Sequence, residues 1–241
     1  MPKIPAKTTI RLLDRMAFMN SQFGEAFNGM ITLNFEQIGA STELEANRAL
    51  TKLNEAVADR INRHGQVYSP DTKLPHLYMF VHEHVESYGH HVHELIVLPR
   101  GLGANFNEWL QAWARRNFGP SIDPRAILYK GRHCKGDDAR AAQQWRLATY
   151  ILKSSADACI PVGGGATTLH LLLEVEKRKR AYCANVARVA GTSQNIATLA
   201  LISSCFRLAA FEEMKTDAFL QEYHRRIRSE ELTRQLRSVD I

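Results

Sequence analysis

Hydrophobic and polar positions follow two different periods along the first two thirds of this 241-residue chain. Residues 29–35 (GMITLNF), 76–86 (HLYMFVHEHVE) and 90–99 (HHVHELIVLP) alternate or run apolar over short stretches, the pattern of strands. Residues 124–132 (PRAILYKGR) form a fourth such stretch. Between them the apolar positions recur every three or four residues. In 41–65 the repeat is Leu50, Leu53, Val57 and Ile61, with Ser41 or Thr42 placed to cap its start and Gly65 its end. In 104–119 Phe106, Leu110 and Trp113 share one helical stripe. A third helix is expected over 137–157, opened by two aspartates that suit the positive end of its dipole. Only "SYG" separates the second and third strands, which predicts an antiparallel hairpin.

The resulting order is β-α-β-β-α-β followed by a helix. It predicts an α+β fold on the split βαβ, ferredoxin-like plan, with an antiparallel sheet. Residues 1–28 read as a mixed, partly helical lead-in. The three glycines of "CIPVGGGATT" (159–168) read as a loop, and the chain beyond it reads as mainly helical. The expected division is therefore a domain over 1–158 and a helical C-terminal region over 159–241.

Composition alters this picture little. At 45% hydrophobic and 23% charged residues it is ordinary for a globular chain large enough to bury a substantial core. No apolar run approaches the roughly twenty residues of a membrane helix, and the N-terminal segment lacks the apolar centre of a secretion signal. Cys134, Cys159, Cys183 and Cys205 are scattered without a C-x-x-C pair, which fits a reducing cytoplasm and disfavours a zinc ribbon or a disulfide framework. The formal charge of +6 leans modestly towards an anionic partner. Histidine changes the picture more: six of the ten fall between His76 and His93.

Within that cluster His91 and His93 stand at i and i+2, so on a strand both point to one face and can converge on one cation. A third ligand would come from the preceding strand. Glu83, eight residues before His91 across the hairpin, is one candidate; His84 and Glu86 are its neighbours, and the hairpin register decides among them. Two imidazoles and a carboxylate with open positions suit Mg²⁺ or Mn²⁺ when a substrate phosphate completes the shell. Further on, "TYILKSS" places Tyr150 and Lys153 at i and i+3, on one helical face, where the lysine can stabilise a phenolate.

These elements, in this order, resemble the HUH endonuclease superfamily, specifically the rolling-circle replication initiators, or Rep proteins. "MITLNF" is similar to the first strand motif of that family, "HHVHELIVLP" to its histidine–hydrophobe–histidine metal motif, and "YILK" to its Y-x-x-K motif. The resemblance covers about residues 29–155. It implies His91 and His93 as metal ligands with Glu83 as the third, Tyr150 as the nucleophile and Lys153 as its assistant. It also implies Thr32 and Asn34 as DNA contacts. No second tyrosine lies a turn away from Tyr150, so the resemblance is to single-tyrosine members of plasmid or mobile-element type. The implied activity is metal-dependent nicking and rejoining of single-stranded or melted origin DNA through a 5′-phosphotyrosine. No Walker A pattern occurs, so unwinding and synthesis would fall to a host helicase and polymerase; no membrane partner is expected.

The basic run Lys177, Arg178, Lys179 and Arg180 suits DNA phosphates as well as it suits a solvated helix face. "VARVAGTSQNIATLA" (186–200) faintly resembles a helix-turn-helix, with a helical hairpin the preferred reading. Two other functions compete: a transposase of the same superfamily, and a non-enzymatic nucleic-acid-binding module. The latter class displays aromatic residues on its sheet, and these strands offer few.

Overall fold

The computed structural model describes residues 3–68, 74–162, 165–173, 182–184 and 186–197. It is an α+β protein built on one antiparallel sheet. The strands are β1 (Gly29–Asn34), β2 (Tyr78–Val85), β3 (Gly89–Ile96), β4 (Ile127–Gly131), β7 (Tyr182–Cys183) and β8 (Ala190–Thr192). The helices are α1 (Ala6–Phe23), α2 (Glu43–Tyr68), α3 (Phe106–Phe118) and α4 (Asp137–Ile151). Strands run in the order β4-β1-β3-β2, and β7 and β8 both pair with the outer edge of β2. Strand β3 is thus hydrogen-bonded on both sides, by β1 and β2.

Alternation along the central strands feeds two separate cores. On one face Ile31, Leu33, Phe80, Val92 and Ile96 meet Leu50, Leu53, Val57 and Ile61 of α2 and Phe106, Leu110 and Trp113 of α3. On the other, Met30, Met79, Val81 and Leu95 meet Leu12, Met16 and Met19 of α1 and Ala148 and Ile151 of α4. The helical stripes expected from the sequence are the buried ones.

Several boundaries differ from expectation for identifiable reasons. The lead-in is one 18-residue helix, closed by Gly24 in the left-handed conformation. It is locked to α4 by a reciprocal amide pair, Asn20 Nδ2 to Gln144 Oε1 at 3.1 Å and Gln144 Nε2 to Asn20 Oδ1 at 2.8 Å. Helix α2 starts with a capping box, in which Thr42 Oγ1 accepts from Glu45 N and Glu45 Oε2 accepts from Thr42 N. It runs through Gly65, which is itself buried, to Tyr68.

The expected helix over 137–157 stops at Ile151. The segment that follows pairs instead with the N-terminus: Ile4 N donates to Ser154 O at 3.0 Å, and Ala156 N donates to Ile4 O at 2.8 Å. The glycine-rich loop is a hairpin of β5 (Cys159–Val162) and β6 (Gly165–Thr168). Of the chain expected to be mainly helical beyond this hairpin, only Leu169–Leu172 is α-helical among the described residues; Tyr182–Cys183 and Ala190–Thr192 are strands. Neither a helix-turn-helix nor a helical hairpin is present over 186–197, where β8 is followed by a short 3₁₀ turn. Among the described residues no helix is long and apolar enough to cross a membrane.

Candidate metal centre

Register settles which face of β2 meets the histidine pair. Glu83 lies directly opposite His91 and Val81 opposite His93. His84 pairs with His90 and so points to the other side of the sheet, and Glu86 lies beyond the end of β2. On the far side of β3, Thr32 stands opposite His93 and Asn34 opposite His91. Residues opposite one another share a face, so Glu83, His91, His93, Thr32 and Asn34 all look towards α1 and α4.

Three donor groups converge there. Glu83 Oε2 lies 3.4 Å from His93 Nε2 and 3.6 Å from His91 Nε2. One nitrogen of each ring and one Glu83 oxygen form a set whose donor atoms lie within 4.8 Å of one another. All three side chains are buried. Burial opposes ionisation of Glu83, but the His91 and His93 contacts and the Lys153 charge outweigh it and hold the carboxyl well below the usual carboxylate range. Burial, opposed by Glu83, holds His93 below the usual imidazole range.

The second nitrogen of each ring is anchored. His91 Nδ1 lies 3.1 Å from Gly89 O and His93 Nδ1 lies 2.9 Å from Thr32 Oγ1. A carbonyl can only accept, so His91 carries a proton on Nδ1, and the neutral ring presents the Nε2 lone pair to a ligand. Among the described residues the second Glu83 oxygen, Oε1, is buried without a hydrogen-bond partner. A buried carboxylate oxygen without a donor is costly, and a cation would satisfy it. The group therefore fits a divalent metal: one anionic oxygen and two neutral imidazole nitrogens, each oriented by a further hydrogen bond.

Tyr150 and Lys153 reach the same place from the end of α4. The Tyr150 ring meets the His93 ring edge-on, with centroids 5.1 Å apart. Lys153 Nζ lies 2.8 Å from Glu83 Oε2 and 3.9 Å from the Tyr150 ring centroid. Lys153 does not stand on the helix, as its spacing from Tyr150 implied, but in the turn after it. Ser155 Oγ donates to Leu152 O at 2.6 Å and holds that turn.

The other candidate residues are placed as follows. Thr32 is half-buried against His93. Asn34 is buried; its Nδ2 donates to Tyr88 O at 2.6 Å and its Oδ1 accepts from Gln37 N at 3.1 Å. Lys177, Arg178, Lys179 and Arg180 lie outside the described residues. On the opposite face His82 and His90 form a second imidazole pair, Nδ1 to Nε2 at 3.0 Å, packed on Phe35. Sequence reasoning missed this pair and also Glu94, which is fully buried on that face. Their strand parity opposite to His91 and His93 was the available signal.

No protein-family model, no curated protein and no solved structure matches the chain. What the structure itself defines is an α+β protein with a buried Glu83–His91–His93 group able to hold a divalent metal, next to a tyrosine and a lysine.

Proposed function

We propose that this chain is a metal-dependent, tyrosine-mediated nuclease that nicks and rejoins single-stranded DNA, of the HUH type. The observation that carries this reading is the packing of Tyr150 on His93 within the Glu83–His91–His93 group, with Lys153 reaching Glu83 from the turn that follows α4. The succession β1-α2-β2-β3-α3-β4 and the order β4-β1-β3-β2 support reading the sheet as ferredoxin-like. That plan places α2 and α3 on one face and leaves the other for the site.

Glu83, His91 and His93 would hold Mg²⁺ or Mn²⁺, which when bound supplies polarisation of the scissile phosphate. Tyr150 is the nucleophile. Its phenol oxygen forms the bond to phosphorus as the bond to the 3′ oxygen breaks; the phenol proton goes to solvent and the 3′ oxygen gains one. The products are a 5′-phosphotyrosine and a free 3′-hydroxyl, and attack by a 3′-hydroxyl reverses the step. Lys153 neutralises charge near the phenol oxygen and the phosphate. The substrate is single-stranded or melted DNA at an origin, in the initiation of rolling-circle replication of a plasmid or mobile element, with a host helicase and polymerase as partners.

The test is covalent trapping. Incubated with a varied pool of single-stranded oligonucleotides and Mn²⁺, the protein yields adducts that persist on a denaturing gel, and Tyr150→Phe yields none. Adducts undiminished in Tyr150→Phe would remove the nucleophile; no cleavage across the pool would remove the nuclease.

A further inference from the structure

We propose that Thr32 is a positioning residue that holds His93 for the metal, rather than a DNA contact. This rests on the metal reading of Glu83, His91 and His93. The two imidazoles are anchored asymmetrically. His91 is anchored by a backbone group, Gly89 O, at the hairpin turn. That turn is fixed in two ways: Gly89 has φ of 67°, and Asn34 ties Tyr88 O to β1. No side-chain substitution removes a carbonyl. His93 is anchored instead by a hydroxyl, Thr32 Oγ1 at 2.9 Å, supplied by the neighbouring strand.

The geometry leaves the hydroxyl little choice of partner. Thr32 pairs with His93 in the β1–β3 ladder, so its β-branched side chain stands beside the ring with χ1 restricted. In this proposal Oγ1 accepts the Nδ1 proton, which leaves the His93 Nε2 lone pair for a cation held beside Glu83. Without that acceptor the ring can carry its proton on Nε2, where it faces the carboxylate and competes with a cation. Partners of this kind fix both the tautomer and the orientation of a ligating ring.

The experiment uses the full chain and compares wild type, Thr32→Val, Thr32→Ser and His91→Ala. Mn²⁺ affinity is read by calorimetry, and the His93 tautomer in chelator by ¹⁵N-resolved ring NMR. Thr32→Val, which keeps the shape and loses the hydroxyl, binds Mn²⁺ roughly ten- to a hundredfold more weakly. Its His93 loses the pure Nδ1–H tautomer, and Thr32→Ser restores both. Metal-free oligonucleotide binding is unchanged. Wild-type affinity with an unchanged tautomer in Thr32→Val overturns the proposal. So does a loss of metal-free oligonucleotide binding with Mn²⁺ affinity intact. If wild type binds no Mn²⁺, or His91→Ala binds it equally well, the metal reading fails instead. The tautomer then still decides whether Thr32 holds His93.

Discussion

Glu94→Gln tests the side of the sheet that the metal centre does not use. Glu94 follows His93 on β3 and therefore points into the core between the sheet and α2, fully buried among Ile31, Phe80 and other apolar neighbours. Among the described residues neither carboxylate oxygen has a hydrogen-bond partner, and Asn54 Oδ1 and His76 Nε2 are likewise buried without one. Burial pushes the Glu94 carboxyl up from 4.5 to about 8, with a smaller opposing influence from Asn54. The sign follows from linkage. Below pH 4.5 the acid is protonated whether the chain is folded or not. As pH rises towards 8 the unfolded chain gives up its proton and the folded one does not, so stability is lost. At pH 7 the loss is about 3 kcal/mol, and it approaches about 5 kcal/mol above pH 8. Such a loss is a large share of the stability of an ordinary domain. Glutamine has nearly the same shape and does not titrate. Urea unfolding in chelator from pH 4.5 to 8 should show wild type losing about 3 kcal/mol relative to Glu94→Gln by pH 7. Parallel curves for the two proteins would refute the reasoning.

The remaining predictions concern other elements. Gln144→Ala removes one half of the Asn20–Gln144 amide pair and leaves the buried Asn20 amide short of partners. It should cost about 1–3 kcal/mol in urea unfolding. An unchanged midpoint would show that α1 is held to α4 by apolar packing alone. His82 has the opposite pH signature to Glu94. Burial first, then the nearby charges of His90, Arg188 and His91, hold it down to about 3. It stays neutral in the folded chain while the unfolded chain protonates near 6.5, so stability is lost as pH falls below that value. Between pH 7 and 5, wild type should lose about 2 kcal/mol more than His82→Leu; equal slopes would refute this.

The strands were legible as short, largely apolar runs because both faces of the sheet are covered, so alternate residues feed one core or the other. Leu50, Leu53, Val57 and Ile61 gave the buried stripe of α2 for the same reason. The pair His91 and His93 was legible from parity alone. The third member was not. Glu83, His84 and Glu86 carry similar chemistry, and only the pairing of Glu83 with His91 separates them. Thr32 was visible as a polar strand residue, but its contact with His93 depends on a neighbour 61 positions away. Strands β7 and β8 escaped notice because they are two and three residues long. Their partner is the edge of β2, about a hundred residues earlier, and no local periodicity encodes such a pairing. The end of α4 was misplaced because Ile4, far away in sequence, draws Ser154 and Ala156 out of the helix.

That last contact divides the site by how its parts open. Glu83, His91 and His93 sit on β2 and β3, strands paired on both sides, whose amides exchange with solvent only when the sheet itself comes apart. Tyr150 and Lys153 sit at a helix end secured by the short parallel bridge between Ile4 and Ser155. In hydrogen exchange the amides around Lys153 should therefore be released together with those of the N-terminal segment, at a lower free energy than Val92 or His93. Release at two different free energies would place Tyr150 and Lys153 in a different cooperative unit from Glu83, His91 and His93, and a tyrosine so placed could leave and rejoin the cluster without disturbing the sheet.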